Sequence, residues 1–378
     1  MDYIIDRITN LIMNEIIISD ENDPEPKFKD EYGGMYYSNV DQCIHLNIMK
    51  EANSSIYDDI IGEYSKYVKY HECDVSYNQL LTVRNSLRQI YKDISIISAS
   101  VVDANSSIEI ELEDEKSQKR IIDYLISTEI TENFIDNHIK FFIYSSKNYE
   151  EEVSSISEMS VTNSVAANPG KTIQGEKIEA PGTCVKATNG FSAVRNGVYG
   201  IVTAWHYTVH TSRHFWVEAR TANQFANTNY SDNSTHDSAF IPFDPSCPCS
   251  STVSKTIEGT TKHFTHVATS STISGLSGKN LKFYGCITPG QIGIVSALTA
   301  DYNMSYIDST GTTRTTMVLD CIRTTNASVN HGDSGGPVIY EGSTNVTLVG
   351  IISGKSSSYQ YINKITNIRS DLSVNVTG

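Results

Sequence analysis

The sequence predicts a small α/β domain followed by an all-β domain of barrel or sandwich type, and three observations carry that reading. Charge is unevenly spread over the 378 residues: residues 1–168 hold 14 basic and 31 acidic side chains, a net of −17, while residues 169–378 hold 15 and 13, a net of +2. Such an asymmetry marks a domain boundary. The patterning changes with it. From about residue 173, helical periodicity gives way to short β-branched and aromatic segments separated by Gly, Asn, Ser and Thr, the mark of an all-β domain. Between the halves, residues 148–172 are rich in Ser, Glu and Asn, end near Asn168-Pro169-Gly170, and read as a linker.

Residues 1–32 are polar and acidic, with Pro24 and Pro26, and are expected to form a flexible lead-in. Residues 33–147 make up the α/β domain. Within it, residues 36–49 have strand-like apolar content, and Ser76 is a suitable N-cap for a helix running on to Leu87, Ile90 and Tyr91. Residues 94–102 read as a buried strand. Residues 107–112 alternate Ile108, Ile110 and Leu112 with polar neighbours, which predicts a half-buried strand. Residues 113–126 suit a helix and residues 138–144 a further strand. This β-α-β-like alternation belongs to an α/β module, not to a barrel. Residues 173–378 form the second domain.

An acidic chain of net charge −15 without a basic stripe points away from nucleic acid as a partner. No apolar run approaches the ~20 residues that span a bilayer, so no membrane partner is expected. Asn10, Asn14 and Glu15 interrupt the apolar start, and the N-terminus lacks the form of a signal peptide. A cytoplasmic or non-classically exported protein is therefore expected. Seven cysteines are an odd count, leaving at least one free or intermolecular. Cys247 and Cys249 stand too close for an easy mutual disulfide, and no second pair follows at zinc spacing. His206 and His210 are four apart, but Tyr207 stands where a helical zinc motif needs glutamate. Neither a metal nor a cofactor is expected.

The chemistry concentrates in Gly332-Asp333-Ser334-Gly335-Gly336-Pro337. A serine hydroxyl is a poor nucleophile unless a base stands beside it and donors receive the oxyanion it creates. Glycine at 332 lets the backbone turn its N–H, with that of Ser334, toward one point, an oxyanion hole. Asp333 is expected beneath this loop with an ion-pair partner. Upstream, Gly200-Ile201-Val202-Thr203-Ala204-Trp205-His206 reads as a strand ending at a histidine. His236-Asp237-Ser238-Ala239-Phe240-Ile241 places an aspartate at the entry to another.

These three strings, in the order His, Asp, Ser, resemble the chymotrypsin-like serine proteases, and most nearly their streptogrisin and α-lytic group. The resemblance covers some 200 residues. It extends to residues 183–203, 290–298, 348–354 and 365–376, and implies a double β-barrel for residues 173–378. In the first half, Val101-Val102-Asp103-Ala104-Asn105 leading into Ile108-Glu109-Ile110 resembles part of that group's pro-region. A folding aid or inhibitor docked on the barrels is thereby implied. Departures are visible. Tyr207 replaces the cysteine that usually follows the histidine, leaving Cys184 without its expected partner, and residues 328–331 lack cysteine. The arginine that neutralises the aspartate of the serine motif in this group is replaced by Phe283, and Arg323 is expected to substitute.

The resemblance implies a serine endopeptidase that works through an acyl-enzyme and is made as a precursor. Ser334 attacks, His206 accepts and returns the proton, and Asp237 orients and stabilises the imidazole. Gly332 and Ser334 form the hole. Ser353, Gly354 and Lys355 would pair with the substrate main chain. His331 lies at the mouth of the pocket for the residue before the scissile bond. A histidine and a lysine converging there would favour acidic side chains, and Glu150, Glu151, Glu152 and Glu158 in the linker would offer self-processing sites. The alternative is a catalytically inactive barrel that only binds peptides, for which fluorophosphonate labelling is the discriminating test.

Overall fold

A computed structural model describes residues 2–19, 26–144, 169, 172–177, 184–209, 211–217, 224–226, 231–243, 256–307, 310, 312–342, 345–356 and 358–377. Nearly all of the expected linker, Cys247, Cys249 and His210 lie outside the described residues.

Residues 2–16 are not an unstructured lead-in. They form helix α1 (Asp2–Ile16), with Ile5, Ile8, Ile12, Met13 and Ile16 buried. That spacing puts every one of them on one helical face, a pattern that the acidic composition of the segment obscures. Two units of like topology follow. In the first, β1 (Tyr32–Ser38) and β2 (Cys43–Met49) pair antiparallel, and α2 (Ser55–Ile61) crosses to β3 (Val68–Cys73), parallel to β2. Helix α3 (Tyr77–Ser86) opens on a capping box: Gln79 N donates to Ser76 Oγ, and Ser76 N donates to Gln79 Oε1, satisfying two otherwise orphaned amides. In the second unit β4 (Ile96–Val102) and β5 (Ser107–Leu112) pair antiparallel. Helices α4 (Glu115–Ser127) and α5 (Glu132–His138) then cross to β6 (Ile139–Ile143), parallel to β5.

The second half is all-β, as expected. One sheet holds β7 (Thr172–Lys177), β8 (Cys184–Thr188), β11 (Thr211–Val217) and β12 (Gln224–Ala226). Another holds β9 (Phe191–Arg195), β10 (Val198–Thr203), β13 (Ser231–Asn233), β14 (Ser238–Pro242) and the terminal β22 (Asn375–Val376). Helix α6 (Trp205–Thr208) follows β10 after Ala204, and β15 (His266–Val267) and α7 (Ser270–Ser274) lead into a closed barrel. That barrel has six strands: β16 (Asn280–Tyr284), β17 (Pro289–Ile307), β18 (Thr313–Thr325), β19 (Pro337–Glu341), β20 (Val346–Lys355) and β21 (Gln360–Lys364). Their order is β16-β19-β20-β21-β18-β17, and β17 pairs back to β16 to close it. Helix α8 (Ile365–Leu372) packs against it through Ile365, Ile368 and Leu372.

Each half has its own apolar core, though Met317 and Leu319 of β18 pack against that of the first. One gathers residues from Ile5 to Ile139, the other residues from Phe191 to Val374. Yet one sheet runs through both, because β4 pairs with β17 at Val101↔Thr299, Ser100↔Ala300, Ala99↔Asp301 and Ser98↔Tyr302. Strand β5 is consequently buried on both faces, not half-buried. Its polar side chains Glu109 and Glu111 meet Arg323 and Tyr361 of the barrel, not solvent.

Candidate active site

The register of β10 and β14 brings His206 and Asp237 together. Thr203, the last residue of β10, pairs with Ala239 of β14, so the chain just after β10 faces the chain just before β14. His206 Nδ1 lies 2.9 Å and 3.0 Å from the two Asp237 carboxylate oxygens, and the His206 backbone N–H donates to Oδ1 at 2.9 Å. Asp237 is fully buried and takes a positive φ of +41°, a conformation a non-glycine residue holds only where its surroundings impose it. Ser353 Oγ donates to Asp237 Oδ2 at 2.5 Å. Burial works against the charged imidazole, but attraction to Asp237 and the hydrogen bond between them prevail, so the His206 pKa lies above its usual 6.5.

Ser334 sits on a loop stitched to Thr188 at the end of β8 and to β20 of the barrel. Its carbonyl accepts from Thr188 N at 2.9 Å, Gly335 N donates to Ile352 O at 2.8 Å, and Ile352 N donates to Gly336 O at 2.8 Å. Gly335 has φ +85°, and a Cβ there would fall 2.1 Å from Thr203 Oγ1. Only glycine therefore lets the serine loop approach the strand that carries His206. The Ser334 hydroxyl and His206 Nε2 form no hydrogen bond with any described residue.

Gly332 has φ +96°, and its carbonyl turns away to accept from Thr188 Oγ1 at 2.7 Å and Cys286 Sγ at 3.3 Å. The N–H groups of Gly332 and Ser334 donate to no described residue. Two amides without partners beside an activatable hydroxyl can receive a developing oxyanion.

Asp333 is fully buried, but Arg323 is not its partner. Its carboxylate accepts from Ile287 N at 2.8 Å, Thr288 N at 3.0 Å, Asn330 N at 2.8 Å and the Thr288 hydroxyl. Four donors replace the expected cation, because a buried carboxylate needs either a countercharge or a full set of hydrogen bonds. Gly285 makes room for it, since a Cβ there would lie 2.0 Å from Asp333 Oδ1. Arg323 instead donates to Glu109 at 2.7 Å and lies over the Tyr359 ring at 4.1 Å.

The ladder between β19 and β20 ends at Ile351, while β20 goes on pairing with β21 through Gly354↔Tyr361 and Lys355↔Gln360. The β19–β20 ladder therefore does not extend to Ser353 and Gly354. The Ser353 side chain turns inward onto Asp237, and Lys355 Nζ donates to Val329 O at 3.0 Å, beside exposed His331. Of the remaining histidines, His236 Nδ1 lies 2.5 Å from Asp371 Oδ2, and His263 and His266 are exposed. Reading residue by residue missed Thr188, Thr288 and Tyr302, whose parts depend on contacts across strands and carry no local motif.

The family model described as Trypsin matches residues 182–370. No curated protein matches the chain. Among solved structures, a serine protease described as glutamic acid specific, with a histidine triad in substrate binding, aligns at 22% identity and a TM-score of 0.41. That alignment covers 56% of this chain and 100% of the other. Thermobifida fusca Protease A aligns at 20% identity and TM-score 0.40, covering 57% of this chain and 100% of its own. Nocardiopsis protease aligns at 18% identity and TM-score 0.40, with the same two coverages.

Proposed function

This chain belongs to the trypsin family, as the match over residues 182–370 establishes, and on that premise we propose that it hydrolyses peptide bonds through an acyl-enzyme on Ser334. His206 Nε2 takes the Ser334 proton as Oγ attacks the scissile carbonyl. The amides of Gly332 and Ser334 bind the oxyanion, and His206 gives the proton to the leaving amine. Water then enters by the same route and releases the acyl group. Asp237 holds the imidazole with Nδ1 protonated and stabilises its charged form. The observation that carries this reading is the paired contact of His206 Nδ1 with both Asp237 oxygens at 2.9 and 3.0 Å, on the loop that faces the Ser334 turn.

A fluorophosphonate tests it. Wild type is expected to be labelled at Ser334, and Ser334→Ala and His206→Ala are not. An unlabelled wild type would leave only a peptide-binding barrel.

Two refinements go with this reading. The first is a preference for Glu or Asp before the scissile bond. Support comes from Lys355, whose Nζ donates to the Val329 carbonyl at 3.0 Å, two residues before His331, and would bring a cation to that side of the pocket. Absence of acidic enrichment in a peptide-library profile, or its survival in Lys355→Gly, removes the idea. The second is that the chain is a precursor whose acidic N-terminal module, docked on the protease, is cut free within residues 148–172. Its separate core and the polar composition of that stretch support this.

A further inference from the structure

The hydrogen bonds behind Asp237 continue past Ser353 into the N-terminal half. Ser353 Oγ, with Asp237 Oδ2 as its acceptor, itself lies 2.7 Å from Tyr302 Oη. A carboxylate only accepts, so Ser353 donates to Asp237 and the Tyr302 hydroxyl donates to Ser353. Burial, with the nearby Asp237 charge, keeps this phenol well above its usual pKa and hence protonated. The titratable groups facing it are Asp237, Cys321 and Tyr361. Gly354 gives it room, since a Cβ there would meet Tyr302 Oη at 2.7 Å.

What holds the ring is partly the other half of the chain. The backbone of Tyr302 pairs with Ser98 of β4. Its ring stacks on Tyr361 at 4.1 Å with planes 7° apart, and Tyr361 Oη donates to Glu111 Oε2 at 3.2 Å. Ser98 Oγ donates to the same Glu111 oxygen at 2.6 Å. All of these side chains are buried.

Resting on the proposed peptidase reading, we infer that Tyr302 is a positioning residue for the triad, and that the N-terminal module, through Ser98, Glu111 and Tyr361, holds Tyr302 in place. The docked module then supports the triad as well as covering the barrel. A chain of hydrogen bonds polarises each successive donor. With the phenol gone, Ser353 donates less strongly, Asp237 keeps more of its negative charge, and the His206 proton is held more tightly.

The test uses the full chain and begins with wild-type turnover and fluorophosphonate labelling. If neither is seen, the peptidase reading fails, not this one. Tyr302→Phe keeps the stacked ring and removes only the hydroxyl. Loss of this positioning contact lets Asp237 and the imidazole turn, and kcat is expected to fall roughly two- to twelve-fold, the worth of one net hydrogen bond of about 0.5–1.5 kcal/mol, with KM unchanged. The acidic limb of kcat/KM should move to higher pH. Ser353→Ala should move it further, and adding Tyr302→Phe to it should cost nothing more, since both act through one contact. Glu111→Ala, far from substrate, should shift the limb the same way by less. The downfield proton of His206 Nδ1–H, read by NMR, reports the same change if turnover is too weak to profile. An unchanged limb and proton signal in Tyr302→Phe, or fully additive losses with Ser353→Ala, overturns the role of Tyr302. An unshifted limb in Glu111→Ala overturns the role of the module.

Discussion

Asp237 combines complete burial with a left-handed backbone and three donors, from the His206 backbone, its ring and Ser353. On the proposed mechanism that environment sets the pH dependence. His206 must be neutral to accept a proton, and Asp237 raises its pKa above 6.5 against the effect of burial. Activity is then present above that pKa and lost as pH falls through it. The acidic limb of kcat/KM is expected to have its midpoint above 6.5, and a wild-type midpoint at or below this value would contradict the assignment. Asp237→Asn removes the attracting charge, so the midpoint should fall, and kcat should drop by about 10⁴ because the imidazole is held in the wrong tautomer. Ser334→Ala should abolish turnover altogether. These three candidates could be singled out in the sequence because the proposed serine, base and orienting acid need their particular chemistry and recur with recognisable neighbours. The partners of Asp333 could not, since any set of donors can satisfy a carboxylate.

Among the elements, the turn between β4 and β5 holds a second buried carboxylate. Asp103 is fully buried, with Met35 N 3.4 Å from Oδ1 and no partner on Oδ2 among the described residues. Burial, only partly offset by hydrogen bonds from Met35 and Ser277, raises its pKa to about 7. A carboxyl whose folded pKa is raised contributes stability below its unfolded pKa, near 4, and loses it as pH rises through about 7. Asp103→Asn keeps the shape of the protonated acid. It is expected to stabilise the protein at pH 8 by an amount on the order of a few kcal/mol, and not at pH 4. Urea melts at the two pH values decide, and equal effects at both would remove the argument. The start of the helix of residues 77–86 was legible from Ser76, because an N-cap is a local hydrogen bond, while the expected run on to Tyr91 ends at Ser86. Loss of the cap in Ser76→Ala should cost about 1 kcal/mol, read in the same melts.

Across the whole molecule, the two halves meet at a buried charge network. Asp301 of β17 accepts from Arg84, from Arg88 at 2.8 and 3.1 Å, and from Tyr91 at 3.0 Å. Asp320, nearby, is paired with Lys364 at 2.8 Å. Both Asp301 and Arg84 are buried, and the two arginines hold the Asp301 carboxyl below its usual pKa against its desolvation. Asp301→Ala would leave buried Arg84 with only the longer contact to Asp320 at 3.8 Å, and removing one partner of a buried pair costs about 3–5 kcal/mol. Chemical denaturation should register that loss. With one sheet crossing both halves, a chain cleaved within residues 148–172 is expected to elute in gel filtration as a single complex. Separation of the fragments in mild buffer would argue against docking through the sheet.

The sequence by itself determined the barrel class, the order and spacing of the triad candidates and the division of the chain into an acidic α/β half and a near-neutral β half. Each rests on local periodicity, on motif chemistry or on charge, all of which survive in one dimension. Tertiary structure alone decided where Glu109 and Glu111 point. Alternation in β5 marks them as a polar face, and pattern cannot tell a face turned to water from one turned to Arg323 and Tyr361. It also decided that helix α1 is core, that Asp333 is held by amides, and that Tyr302 stands behind Ser353. Those contacts join residues far apart in the chain, and their energies depend on burial that only the folded arrangement creates.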